Sequence, residues 1–345
     1  MEKIAVGILG ATGTVGQKFI TLLENHPYFQ IKEVVASDKS AGKNYCEATN
    51  WKQDRFIPTN IANLIVKSTS EPLESKILFS GMDASVAGEI EEHYAKQGHF
   101  VISNSKNHRM DENVPIIIPE VNVEHFQLIK KQPYKGAIIT NSNCSTMFLA
   151  MVLAPLHKAF TIEHVHVTTM QAISGAGYPG VASMDILGNV IPFIGGEEEK
   201  MEIEPLKILG ELKEDHIEFA PFTISAHCNR VAVFDGHTES VTIKFKNRPT
   251  PTQVKECLTK FKGMPQEKSL PFAPKMPIIL FEEENRPQPA RDAWKENGMA
   301  TCVGRIREDK IDDIRMTIMG HNTVRGAAGA AILNAESLVA LGYID

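Results

Sequence analysis

The apolar run KIAVGIL at residues 3–9 breaks abruptly at Gly10-Ala11-Thr12-Gly13, and Val15 to Leu23 then shows helical spacing of apolar side chains. A strand, a glycine turn and a helix in this order let backbone amides close on a pyrophosphate at the helix N-terminus. Gly10, Gly13 and Gly16 are spaced G-x-x-G-x-x-G rather than G-x-G-x-x-G, so the context carries more of the argument than the motif. That context continues. Lys32 to Ser37 reads as a second strand, Ile77 to Gly81 as another, Ala84 to Gln97 as a helix and Phe100 to Ser103 as a strand. Strands alternating with helices predict a Rossmann-like α/β domain built on a doubly wound parallel sheet.

A further buried strand, Ala137 to Thr140, runs into Asn141-Ser142-Asn143-Cys144 and an apolar helical stretch from Thr146 to Phe160, where the domain change is expected. Beyond it, Val165 to Met170, Ser240 to Phe245 and Ile311 to Met319 alternate like strands covered on one face, which predicts an α+β second domain. Residues 262–298, rich in proline, lysine and glutamate, read as a long excursion at a subunit interface. The small, apolar stretch after Asn322 suits a helix that returns to the first domain. The expected division is therefore 1–143 with 322–345, and 144–321, and a length of 345 residues accommodates two such cores.

Composition excludes several classes of function. At 43% hydrophobic, 23% charged and a formal net charge of −6, the chain is an ordinary globular protein without the basic footprint of a nucleic-acid partner. No apolar run approaches the about 20 residues of a membrane span, and MEKIAVGILGATG opens straight into a strand, so a cytoplasmic protein is expected. Five cysteines at 46, 144, 228, 257 and 302 contain no C-x-x-C pair, which argues against a disulfide framework or a structural zinc site. His164 and His166 share one face of a predicted strand, but without a third ligand in view no metal is expected.

Cys144 lies between a buried strand and a helix start, where helix-end dipoles stabilise a thiolate. Asn143 beside it is a candidate oxyanion donor. A cysteine nucleophile serves hydrolases and reductases alike, and the nucleotide-binding half favours the reductase, in which a thioester is reduced by hydride. His237, in Asp235-Gly236-His237-Thr238-Glu239 at the start of a strand, is the candidate acid/base, with His227 as its competitor. In the loop after the second strand, Asp38 suits a ribose hydroxyl and NAD, whereas Ser37, Lys39 and Ser40 suit a 2′-phosphate and NADP.

SNCST at 142–146, TMQAISGAGYPGV at 169–181 and NRVAVFDGHTE at 229–239 together resemble the aspartate-semialdehyde dehydrogenases. The likeness runs from GATGTVGQ to NTVRGAAGAA and is greater to the branch found in fungi and archaea. The resemblance implies NADP-dependent reduction of aspartyl-4-phosphate to aspartate 4-semialdehyde through a Cys144 thioester, in the biosynthesis of lysine, threonine and methionine. It implies Cys144 as nucleophile, Gln171 orienting the acyl group, His237 as acid/base and Arg230 clamping the substrate carboxylate. From Gly195-Gly196-Glu197-Glu198-Glu199-Lys200 it takes one glutamate, Glu197 or else Glu198 or Glu199, for the substrate ammonium and Lys200 for phosphate. By the same resemblance Asn104 and Arg109 would be further phosphate ligands, and Asn143 would complete the substrate-binding set. Gly10, Thr12, Gly13, Thr14 and Val15, with Ser37, Lys39 and Ser40, would hold the dinucleotide, as would Ser174, Gly175 and Asn322, the last near the nicotinamide. The second domain would be catalytic and dimerising, in a homodimer or homotetramer.

Three other readings compete. A malonyl-CoA reductase would keep the same cysteine and histidine. A cysteine hydrolase would have no use for the glycine turn, and a non-catalytic NADP sensor no use for Cys144, Gln171, Arg230 and His237 together.

Overall fold

The computed structural model describes residues 2–344, arranged as two compact units. The first contains strands β1 (Ile4–Leu9), β2 (Phe29–Val35), β3 (Val66–Lys67), β4 (Ile77–Ser80), β5 (Phe100–Ser103) and β6 (Ala137–Thr140), in the order β3-β2-β1-β4-β5-β6. Every pairing is parallel. The order reverses between β1 and β4, the switch point where open α/β sheets bind ligands beyond the strands' carboxyl ends.

The apolar side of helix Thr14–Leu23 drives it onto this sheet: Phe19, Ile20 and Leu23 are buried, and Phe19 stacks on Phe79 of β4 with ring centroids 5.0 Å apart. The turn and the helix that follows pack this closely only because two positions lack a side chain. Gly10 has φ 73°, and a Cβ on Gly16 would stand 2.3 Å from the Gly10 carbonyl oxygen. Asp83 starts helix Ala84–Gln97 by accepting the Ser85 N–H at 2.9 Å. Helix Gly329–Ala340, buried along nearly its whole length, packs on β4, β5 and the first helix.

The second unit is built on β7 (Ile162–Gln171), β8 (Val190–Ile191), β11 (Thr223–Val231), β12 (His237–Phe245), β13 (Ile278–Phe281), β14 (Thr301–Glu308) and β15 (Ile314–Gly320); β9 (Glu211–Leu212) and β10 (Ile217–Glu218) form a separate hairpin. The mixed sheet runs β13-β14-β15-β12-β7-β11-β8. Alternation sorts β7 cleanly: Val165, Val167, Thr169 and Gln171 are buried, while His166 and Thr168 are exposed and His164 is half-buried on that same outer face. Helix Cys144–Phe160, buried from Ser145 through Leu153, covers the inner face.

The boundaries differ from those expected. The first unit runs to Ile117, resumes over Glu124–Asn141 and resumes again from Ala327; the second holds Ile118–Val123 and Ser142–Gly326. The change thus falls after Asn141, not 143, and the return at Ala327, not 322. A buried ion pair accounts for part of this, because Arg325 Nη2 meets Glu120 Oε2 at 2.6 Å and draws Ile118–Val123 into the second unit. Residues 262–298 are likewise no bare excursion, since they carry edge strand β13 and short helices Met264–Glu267 and Pro289–Asp292. Among the described residues no helix is long and apolar enough to cross a membrane.

Candidate active site

Three strand ends converge at one edge of the second sheet. β7 finishes at Gln171, Arg230 of β11 lies beside it in parallel register, and β12 begins at His237, one position beyond the Thr238–Met170 pair. All three side chains are buried, on the face that helix Cys144–Phe160 covers.

Cys144 opens that helix, and Asn143 caps it: its Oδ1 accepts the N–H groups of Ser145 and Thr146 at 2.9 and 3.2 Å. The Asn143 backbone N–H donates to Glu204 Oε2 at 2.6 Å, and its Nδ2 donates to Glu197 Oε1 at 2.7 Å. The Asn143 amide thus fixes both the helix start and a carboxylate. Glu204 was missed by the sequence reading, although Glu197 and Glu204 stand two turns apart on one face of helix Glu197–Ile208.

The sulfur of Cys144 lies 3.1 Å from His237 Nε2. On the far side of the ring, the Ala172 N–H donates to Nδ1 at 3.0 Å. A nitrogen that accepts carries no proton, so the neutral ring keeps its hydrogen on Nε2 and offers it to the sulfur. Burial first, and then the charge of Arg230, push the ring's pKa down to about 3, so it stays neutral. Ala172 also accepts from Arg230 Nη1 at 2.8 Å through its carbonyl, and thereby orients both side chains. Burial lowers the Arg230 pKa, and attraction to Cys144 and Glu197 opposes that shift. His227, the competing base, is exposed on the opposite face of β11 from Arg230.

The three glutamates differ in their surroundings. Glu197 is buried beside Asn143, whereas Glu198 accepts the Cys228 N–H at 2.9 Å and Glu199 is exposed. Burial pushes the Glu197 pKa up, but the Lys200 charge, the Lys200 hydrogen bond at 2.9 Å and the Asn143 amide outweigh it and hold the carboxylate below its usual range. Gly175 stands against the same cluster: a Cβ there would lie 2.9 Å from His237 Cε1 and 3.0 Å from Arg230 Nη1. Asn322 Oδ1 accepts the Gly236 N–H and its Nδ2 donates to Ser174 Oγ, both at 2.8 Å, tying the turn before His237 to the Ser174 loop.

In the first unit, Gly10 to Val15 form the turn and helix start described above, with no side-chain cap at Gly13. Ser37, Asp38 and Lys39 are exposed in a turn closed by the Ser40 N–H to Ser37 carbonyl bond at 2.8 Å. Asn104 and Arg109 come together beyond β5: Asn104 Nδ2 donates to the Ser80 carbonyl at 3.0 Å, and Arg109 Nη2 donates to the Asn104 carbonyl at 2.9 Å. Asn141 Nδ2 fixes Asn104 Oδ1 at 2.7 Å, a support no motif announced. His164 and His166, left without a third ligand by the sequence, have Asp312 beside them.

A family model described as "Semialdehyde dehydrogenase, NAD binding domain" matches residues 5–129, and one described as "Semialdehyde dehydrogenase, dimerisation domain" matches residues 153–325. The chain is 48% identical over 341 residues to an aspartate-semialdehyde dehydrogenase of Methanothermobacter thermautotrophicus, covering 96% of this chain and 98% of that one. It is 50% identical over 352 residues to that of Schizosaccharomyces pombe, covering 98% and 99%. The crystal structure of aspartate semialdehyde dehydrogenase with NADP from Candida albicans superposes with a TM-score of 0.92 at 41% identity, covering 99% of this chain and 100% of that one.

Proposed function

This chain belongs to the aspartate-semialdehyde dehydrogenase family, and from that membership we propose that it reduces aspartyl-4-phosphate to aspartate 4-semialdehyde through a thioester on Cys144. One observation carries the mechanism: the Cys144 sulfur at a capped helix start, 3.1 Å from a histidine whose Nε2 bears the hydrogen. With Nδ1 filled by the Ala172 N–H, His237 is a hydrogen-bond donor to the sulfur, and the sulfur is matched to it as a thiolate.

In the reductive direction the Cys144 thiolate adds to the acyl carbonyl, and phosphate leaves with the bonding pair. Bound NADPH supplies a hydride to the resulting thioester. The tetrahedral oxygen then takes the His237 Nε2–H bond, and its collapse expels the thiolate and frees the aldehyde. His237 takes the acid/base role, its Nε2 standing 3.1 Å from the Cys144 sulfur, within reach of proton transfer. Arg230 grips the substrate α-carboxylate as a two-pronged donor, and Glu197 takes the α-ammonium, a group that malonyl-CoA lacks. Gln171 orients the acyl group. Lys200, Asn104 and Arg109 bind phosphate, with Lys200 exchanging its Glu197 contact for it.

For the cofactor we propose NADP, with Gly10, Thr12, Gly13, Thr14 and Val15 at the pyrophosphate and Ser37, Lys39 and Ser40 at the 2′-phosphate; the Candida albicans relative was crystallised with NADP. Ser174 and Gly175 complete the cofactor set. Asn322 acts by holding Ser174 and the Gly236 turn. The matched dimerisation domain supports a homodimer or a pair of dimers.

The test is phosphate-dependent reduction of NADP by aspartate semialdehyde. Cys144→Ala should abolish it while NADP still binds, because the thiolate forms every acyl intermediate. Robust reduction of malonyl-CoA without oxidation of aspartate semialdehyde would refute the substrate and leave the thioester standing.

A further inference from the structure

We propose that His164, His166 and Asp312 form a binding site for a divalent transition-metal ion of the zinc class on the outer face of the second sheet. The two histidines alternate along β7 and leave the same face, with ring centroids 5.4 Å apart. Asp312 arrives from the turn before β15, where Asp309 accepts the N–H groups of Ile311 and Asp312 at 2.9 and 3.0 Å. That turn sets Asp312 Oδ1 2.9 Å from His164 Nε2, and one donor atom from each of the three residues lies within 4.8 Å of the others.

Zinc bonds of about 2.0–2.1 Å in tetrahedral geometry place donor atoms roughly 3.3 Å apart, so a small rotation of exposed His166 and a slight opening of the His164–Asp312 contact complete the set. Two imidazoles and a carboxylate suit that ion, and a water takes the fourth position. Electrostatics favour it too. The Asp312 side chain is only 7% exposed and pairs with the His164 ring, and a dication would neutralise its carboxylate more fully. The neighbouring cations are drawn aside: Lys244, across from His164, lies 3.2 Å from Asp313, and Arg315, across from Thr242, lies 3.5 Å from Asp309. The triad stands on the opposite face of β7 from Gln171, so its occupancy is separable from the proposed chemistry at Cys144. A bound ion would pin the turn at 309–313 to the sheet.

Calorimetric titration of Zn²⁺ into the full-length Cys144→Ala protein, which lacks the reactive thiolate, tests this. One ion per chain is expected at this site, His166→Thr should weaken its binding by about ten-fold or more, and the His164→Ala/His166→Ala double variant should lose it. The thermal stabilisation produced by Zn²⁺ should vanish with it. His166→Thr keeps a strand-forming residue at an exposed position, so it reports on the ligand even if the double variant folds poorly. Unchanged stoichiometry and affinity in His166→Thr, or no zinc uptake by the parent protein, would overturn the proposal.

Discussion

Asn143 Nδ2 donates to Glu197 Oε1 across 2.7 Å, so the residue that caps the Cys144 helix also fixes the carboxylate proposed for the substrate ammonium. Glu197→Gln keeps the shape and removes the charge. It should cost roughly 1.5–3 kcal/mol of transition-state binding, a fall in kcat/KM of about ten- to a hundred-fold. Steady-state kinetics of Glu198→Gln provide the control, and an equal loss there would show that the wrong glutamate has been assigned. Arg230→Lys should also be damaging, because a point charge cannot reproduce a planar fork.

His237→Asn should lower kcat by about 10²–10⁴ with little change in cofactor affinity. Its folded pKa of about 3 lies below the ordinary 6.5, so the parent enzyme should show no kcat limb from this ring near 6.5. Stability carries the opposite face of the same shift. Below 6.5 the unfolded chain binds a proton that the folded ring refuses, so stability present above 6.5 drains away as pH falls toward 3. Urea unfolding across this range should show that dependence shrinking in His237→Asn.

Lys39→Ala should narrow the preference for NADP over NAD by a factor on the order of ten to a hundred, the worth of one charge-assisted contact. Comparison of kcat/KM with both cofactors decides it. Equal efficiency with NAD in the unmutated enzyme would mean that Asp38 reads the ribose.

Glu239, two residues beyond His237 on the same buried face, has no hydrogen-bond partner for either carboxyl oxygen among the described residues. Burial raises its pKa well above 4.5, so the folded protein holds it protonated while the unfolded chain ionises it. Its contribution is fully present below 4.5 and is lost as pH rises toward the folded value. Glu239→Gln should therefore gain in Tm relative to the parent as pH is raised from mildly acidic to alkaline. A constant difference in Tm would show that the carboxyl ionises in place.

Local pattern made the first sheet legible: the apolar runs at β4, β5 and β6 and the Asp83-capped helix were placed nearly residue for residue. Errors fell at strand starts where polar residues interrupt the apolar run. β2 begins at Phe29 rather than Lys32, and β12 begins at His237 rather than Ser240, because Phe29 and Glu239 are inward residues of strands whose outer positions are polar. Residue context nominated Cys144 and His237, and the family resemblance added Arg230 and Gln171. Nothing in the sequence pointed to the Ala172 main chain that orients two of them, to Asn141 beneath Asn104, or to Asp312 beside His164. Those partners are set by strand register or by turns distant in sequence, and no local spacing encodes them.

The last helix has a consequence for synthesis. Gly329–Ala340 fills the core of the unit that the first residues begin, yet it is translated after the whole of the other unit. On the ribosome the second sheet can therefore close first, while the earlier-made first unit waits with an apolar face uncovered. Truncation before Gly329 should accordingly unsettle the first unit, and nascent chains stalled before this helix emerges should expose that unit to proteases and chaperones.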